Sequence, residues 1–164
     1  MTASKPSANA RRSAARLAAV QALYQIALGG AEVEAVLGEF VQHRFGAELD
    51  GDRFVEPDPP LFAEIVRGAS DRVDDLDALI AESLDRTWSA DRLELLLTAI
   101  LRAGAWELLA NGAAPARIIV ADYVGLAHAF FGAKEPAMVN AVLDRLARTL
   151  RPDELTPAAD TGGA

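Results

Sequence analysis

The 164-residue chain contains no cysteine, so disulfides, thiol catalysis and thiolate metal sites are excluded. Its two histidines, His43 and His128, do not stand in a spacing that zinc sites use. No apolar run approaches the roughly 20 residues of a membrane span, and no hydrophobic stretch follows the N-terminal charges as in a secretory signal. We therefore expect a cytoplasmic protein that binds neither a metal nor a cofactor and does not enter a membrane.

Sequence patterns that mark enzymes are missing as well. The acidic stretch from Asp71 to Glu82 has the length of a calcium loop, but Val73 and Leu76 stand where that loop needs an oxygen ligand and a glycine. No glycine-rich loop with a following Lys and Ser or Thr is present to bind nucleotide phosphates. The sequence therefore predicts a binding protein that is not an enzyme.

Negative charge is lacking from the beginning of the chain. The first 31 residues contain four basic side chains and no Asp or Glu, although the whole chain has a formal net charge of −8. The four are Lys5, Arg11, Arg12 and Arg16. A second basic zone occupies residues 134–151, and the middle of the chain is acidic. Because net charge says little about a local patch, a nucleic-acid surface at the basic zones remains open.

Apolar residues recur at helical spacing along most of the chain, and no stretch alternates as a half-buried strand would. The predicted class is all-α, with six or seven helices. They span residues 9–28, 31–45, 60–84, 90–110, 115–131 and 136–150, where 60–84 is one bent helix or two. Ser89 is the expected N-cap of the 90–110 helix. We expect a disordered basic tail over 1–8, a single helical domain over 9–151, and a disordered C-terminal tail over 152–164.

Arg12 and Arg16 stand four residues apart, so on a helix they share a face at a spacing that suits neighbouring phosphates. That face lies beside an apolar stripe of Leu17, Val20 and Tyr24. Basic and aromatic residues together suit single-stranded nucleic acid. A solvated helix face that pairs with the acidic middle of the chain remains open as another interpretation. A transit peptide is disfavoured, because its removal would take residues 17–28 from the core.

Three blocks of the sequence resemble the NusB family of bacterial transcription antitermination factors. They read ARRSAARLAAVQALYQ at residues 10–25, TAILRAGAWELL at 98–109 and MVNAVLDRLAR at 138–148. The resemblance implies about seven helices in two small packed bundles and no catalysis. It also implies RNA binding, in which the chain and ribosomal protein NusE together hold the boxA element of nascent ribosomal RNA within the transcription elongation complex.

The resemblance further implies particular contacts. The residues that it places at single-stranded boxA RNA are Arg11, Arg12, Arg16, Tyr24, Met138 and Asn140. Met138 stands where the family often has Phe, which leaves apolar contact with a base in place of aromatic stacking. The residues expected at NusE are Trp88, Asp91 and Arg92, since acidic groups suit a basic ribosomal protein. The family's usual Asn-Glu pair is replaced by Ala121-Asp122.

Two other functions remain as alternatives. The chain could be the NusB-like recognition domain of a ribosomal RNA cytosine methyltransferase, but it contains neither the catalytic cysteine nor the cofactor domain of such enzymes. A structural helical adaptor or homodimer without RNA affinity would bury the arginine-rich helix in a self-interface. RNA binding measured with and without NusE distinguishes these functions.

Overall fold

The computed structural model describes residues 5–43, 45, 48–49, 52–53 and 55–155. Contacts between the elements divide the chain into two compact units, Met1–Arg72 (unit 1) and Val73–Ala164 (unit 2). Both units are built from α-helices, so the predicted all-α class is confirmed. The predicted domain over 9–151 thus comprises parts of two units, each of which buries its own apolar side chains.

Unit 1 contains three helices, α1 (Ala8–Gly29), α2 (Val33–His43) and α3 (Pro59–Asp71). Between α2 and α3, the two-residue strands β1 (Glu48–Leu49) and β2 (Asp52–Arg53) pair antiparallel. Helix α1 packs against both α2 and α3, and α2 packs against α3. The core of unit 1 is centred on buried apolar side chains that include Val20, Leu23, Val36, Phe40, Phe62 and Ile65. The rings of the two phenylalanines stack with centroids 5.6 Å apart.

Specific residues begin and end α1. Ser7 is the N-cap, and its hydroxyl oxygen accepts a hydrogen bond from the Ala10 N–H at 3.0 Å. Gly30 ends the helix in the left-handed conformation with φ of 68°, which glycine adopts without steric cost. Helix α1 and its N-cap thus begin at the end of the segment predicted as an N-terminal tail, whose residues 1–4 lie outside the described residues.

Unit 2 has α5 at its centre. Its helices are α4 (Val73–Ser83), α5 (Leu95–Ala110), α6 (Ala116–Phe130), α7 (Lys134–Leu150) and the short α8 (Pro152–Leu155). Helix α5 packs against α4, α6 and α7. Its buried residues cover most of the helix circumference, as its apolar sequence predicted, and one stripe with Thr98, Arg102 and Trp106 is only half-buried.

The observed ends of several helices differ from the predicted ones. Ser89 is the N-cap of a separate 3-10 turn at Ala90–Arg92, and its hydroxyl bonds to Asp91 in place of a backbone N–H; α5 begins only at Leu95. Residues Pro152–Leu155 continue beyond the predicted domain end as a docked helical turn, and the rest of the predicted tail, 156–164, lies outside the described residues. The 60–84 segment, predicted as one bent helix or two, is two helices, since Arg72 between α3 and α4 has φ of −122° and ψ of 30°.

No helix in the described part of the chain is both long enough and apolar enough to cross a membrane.

Candidate nucleic-acid interface

The first turns of α1 carry basic side chains at the surface of unit 1. Arg11 donates from Nε to the Glu56 carbonyl at 3.4 Å, and Arg12 donates to the Asn9 side-chain oxygen. Both arginines are half-buried, and Lys5 is exposed. The first turn contains no acidic residue, so the positive end of the helix dipole adds to these charges. An arginine has five N–H donors, and each bond named uses one of them. This surface therefore suits phosphate.

Arg16 does not belong to this surface, which corrects the prediction that it shares an exposed face with Arg12. Its side chain is only 1% exposed, the largest of the fully buried side chains. Alanines on the same side of the helix are buried with it. The buried alanines of α1 are Ala15, Ala18, Ala19 and Ala22. Arg16 therefore lies on the packed side of α1 with these alanines.

The apolar stripe predicted for α1 coincides only in part with the face that the structure buries. Leu17 and Tyr24 are half-buried, and Leu28 is 63% exposed. The face that enters the core of unit 1 is instead the alanine face with Val20 and Leu23. Tyr24 therefore keeps part of its ring at the surface, where an aromatic contact with a base remains possible.

Met138 and Asn140 face different surroundings. They are two residues apart on α7, so their side chains point about 200° apart around the helix. Met138 is 5% exposed and lies in the core of unit 2, which contradicts its predicted exposure to a base. Asn140 is exposed and lines a cleft between α6 and α7. Of the two, only Asn140 is placed to contact a ligand.

Most cations of the second basic zone are engaged with unit 2 itself. Lys134 lies over the ring of Trp88, with its Nζ 5.5 Å from the centroid. Arg145 donates to the Ser83 carbonyl, and Arg148 pairs with Asp144 at 2.9 Å. Arg151 is directed at backbone carbonyls near the end of α5. The predicted second RNA patch is therefore largely a set of structural contacts.

The residues predicted to meet NusE are all available at the surface of unit 2. Asp91 and Arg92 are exposed, and Trp88 is half-buried. The Ser89 hydroxyl donates to Asp91 and lowers the pKa of this carboxyl, which keeps it negatively charged. Asp91 also lines a cleft of about 220 Å³ with Arg102, whose Nε pairs with Asp77 at 2.8 Å. This surface combines an aromatic ring with acidic and basic groups.

Sequence reasoning missed three side chains that the fold brings together at the α6–α7 cleft with Asn140: Arg117, Val120 and Asp144. On each helix the lining residues are three or four apart, as residues on one face must be. The sequence contains that spacing but does not show which face of α6 packs beside which face of α7. Among the described residues, no group of three or more acidic or histidine side chains could hold a metal ion.

Comparison with known proteins identifies the family. The model of the NusB family matches residues 13–148. Transcription antitermination protein NusB from Bradyrhizobium sp. (strain BTAi1) is 45% identical over 147 residues, which cover 90% of this chain and 87% of the relative. The same-named protein of Rhizobium rhizogenes is 48% identical over 141 residues, or 86% of this chain and 88% of the relative.

Solved structures agree with the fold. T. maritima NusB superposes with a TM-score of 0.69 at 25% identity, covering 88% of this chain and 93% of that one. NusB from a complex of the antitermination factors NusB and NusE with dsRNA gives a TM-score of 0.69 at 24% identity, covering 85% and 97% of the two chains. Because the family model matches residues 13–148 of this chain and the named relatives are 45% and 48% identical to it, the chain belongs to the NusB family.

Proposed function

We propose that this chain is a non-enzymatic, RNA-binding transcription antitermination factor of the cytoplasm. It acts with ribosomal protein NusE on the boxA element of nascent ribosomal RNA, within the transcription elongation complex. The observation that carries this proposal is the near-complete match to proteins named as antitermination factors. The accessible arginines at the start of α1 supply a surface of the right charge.

The RNA contacts divide between phosphates and bases. Arg11 and Arg12 bind phosphates, with Lys5 near them in sequence, and Tyr24 offers part of its ring to a base. Asn140 contacts a base edge with its amide, which both donates and accepts hydrogen bonds. Arg16 and Met138 are buried, so they act on RNA binding through packing and not by direct contact.

NusE binds unit 2 at Trp88, Asp91 and Arg92. Tryptophan and arginine are enriched among residues that dominate protein interfaces, and Asp91 complements a basic ribosomal protein. The half-buried indole, held under Lys134, provides a fixed apolar surface for the partner.

The proposal is tested by the salt dependence of boxA binding. Substitution of both Arg11 and Arg12 by Ala is expected to flatten the slope of log affinity against log salt by about 1.4, at about 0.7 per phosphate contact on a single strand. The measurement is fluorescence anisotropy with a boxA oligonucleotide and NusE at several salt concentrations. The control variant, Arg67→Ala with Arg72→Ala, removes the same two charges from exposed positions of unit 1. An unchanged slope in the Arg11/Arg12 variant would contradict phosphate binding at α1.

A further inference from the structure

A cleft of about 220 Å³ lies between the first turns of α6 and the middle of α7 in unit 2. Its apolar lining comes from small and medium side chains: Ala116, Val120, Ala121 and Ala147. Because the alanine side chains of both helices are short, they leave an open space at the surface where α6 and α7 pack against each other. The cleft therefore has an apolar wall that a flat ring can cover.

Three polar side chains surround this apolar wall. Asn140 and Arg117 are exposed, and Asp144 is half-buried. The Asp144 Oδ2 accepts from Arg148 Nε at 2.9 Å, which fixes the carboxylate and leaves Oδ1 able to accept from a ligand. The N–H of Ala116 is already bonded to Glu154 Oε1 at 2.9 Å, so the start of α6 is occupied by a carboxylate. Arg117 is thus the group at this cleft that can meet a phosphate.

This combination matches the parts of a nucleotide. A base is flat and apolar on its face and polar on its edge, and its phosphate is negative. An asparagine amide pairs with base edges, and a carboxylate accepts hydrogen bonds from a base amino group. We propose that the α6–α7 cleft binds one unpaired RNA base that carries an exocyclic amino group, with Asp144 and Asn140 at its edge and Arg117 at its phosphate.

The carboxylate gives the cleft a preference among bases. Adenine, cytosine and guanine have an amino group that donates to Asp144, whereas uracil has no amino group and its single edge donor, the N3–H, stands between two carbonyl oxygens that repel the carboxylate. This inference rests on the proposed RNA-binding function, and it adds a base-selective site on unit 2 to the phosphate surface of α1. It also gives a role to Arg117 and Asp144, which lie outside the residues expected from the family resemblance.

A blocking variant tests the site directly. Ala121 is exposed, so Ala121→Phe places a ring in the cleft without entering the core. It is expected to weaken binding of the boxA oligonucleotide about tenfold, the loss of one well-made base contact. The matched control, Ala129→Phe, puts the same ring at an exposed position eight residues later on α6, outside the cleft, and is expected to bind as the unmodified chain does.

A second variant tests the chemistry if the first misfolds. Oligonucleotides in which each position in turn is replaced by uridine are expected to show one position where uridine weakens binding about tenfold, and Asp144→Asn is expected to reduce that difference.

If the unmodified chain binds no boxA RNA with or without NusE, the proposed function fails. If it binds but neither Ala121→Phe nor any uridine substitution matters, only the cleft inference is overturned. If Ala121→Phe instead weakens NusE binding without RNA, the cleft is a protein site and the inference is wrong.

Discussion

Tyr123 and Glu107 form a polar contact in the interior of unit 2. Both side chains are fully buried, and the Tyr123 hydroxyl donates to Glu107 Oε2 at 2.6 Å. Asn111 donates to the other carboxylate oxygen at 2.8 Å. A buried acceptor that loses its donor costs more than the bond itself contributes, because water cannot replace the donor. The contact therefore fixes how α5 and α6 pack.

Tyr123→Phe is expected to lower the free energy of unfolding by about 1 to 3 kcal/mol, since it removes the hydroxyl from beside Glu107 and keeps the ring. Tyr24→Phe is the matched control, because the other tyrosine of the chain is half-buried at the surface of α1. Its effect is expected to stay within about 0.5 kcal/mol. Urea unfolding followed by circular dichroism measures both. Equal losses in the two variants would contradict a special role for the buried contact.

At the scale of single residues, the sequence predicted that α1 carries a basic surface, but it did not predict which of the arginines would be buried. Arg11 and Arg12 were expected at the surface and are accessible there, whereas Arg16 was expected beside them and is buried. A face made of alanine gives little hydrophobic contrast, so periodicity could not show which side of α1 enters the core. Whether an arginine is buried depends on the helices that pack around it, which only the folded unit specifies.

Arg151 joins the end of one helix to the beginning of the next. Its guanidinium donates to the carbonyls of Glu107 and Leu108 in the last turn of α5, at 2.8 and 2.9 Å. It also donates to the carbonyls of Asn111 and Ala114 in the following turn, both at 2.6 Å. The last carbonyls of a helix have no partner within the helix, and a cation there also complements the helix dipole. Arg151 therefore holds the connection from α5 to α6.

Arg151→Ala is expected to destabilise the chain by about 1.5 to 3 kcal/mol, the range for hydrogen bonds to a charged group. The control is Arg148→Ala, which removes the same charge three residues earlier from an exposed pair with Asp144. Exposed pairs of this kind contribute about 0 to 1 kcal/mol. Thermal unfolding of both variants provides the measurement, and similar midpoints for the two would show that Arg151 does not cap α5.

Glu154 caps the start of α6 from the neighbouring α8. The N–H of Ala116 lowers the pKa of Glu154 from its ordinary value of 4.5, and Arg151 lowers it further, against an opposing effect of burial. A lowered pKa in the folded chain means that the stabilisation is complete above the ordinary value and is lost as the pH falls through the folded value. The contact is thus expected to stabilise unit 2 at neutral pH and to fail in acid.

Glu154→Gln is expected to be less stable than the unmodified chain at pH 7, and the difference should shrink as the pH falls below about 4.5. Asp153→Asn serves as the control, because it removes an equal charge from the adjacent exposed residue. Unfolding midpoints between pH 7 and pH 3 give the comparison. A difference between Glu154→Gln and the unmodified chain that stays constant across this range would exclude the carboxylate as the cause.

At the scale of the whole molecule, the helical class and the positions of most helices followed from apolar periodicity and from Gly and Pro. The sequence left residues 60–84 as one bent helix or two, because their apolar pattern does not show where the chain divides, and the structure places that division at Arg72. The α6–α7 cleft depends on contact between separate helices, which spacing along one chain does not encode. Residues at a helix surface are therefore predictable as candidates, and the sites that they form are known only after folding.

We expect weak RNA binding by this chain alone, since the long-range repulsion of a net charge of −8 opposes the attraction proposed at Arg11 and Arg12. A basic ribosomal protein bound at Asp91 would offset that repulsion and extend the RNA surface. NusE is therefore expected to raise the affinity of the chain for boxA RNA, by about 5- to 150-fold if the coupling has the usual strength. Because coupling free energies are reciprocal, boxA RNA must raise the affinity for NusE by the same factor.

Titration calorimetry measures this factor twice: once as the affinity for boxA RNA with and without NusE, and once as the affinity for NusE with and without boxA RNA. A scrambled oligonucleotide of equal length is the control, and it is expected to show a smaller factor. If NusE leaves boxA affinity unchanged, the two proteins do not share one RNA-binding surface.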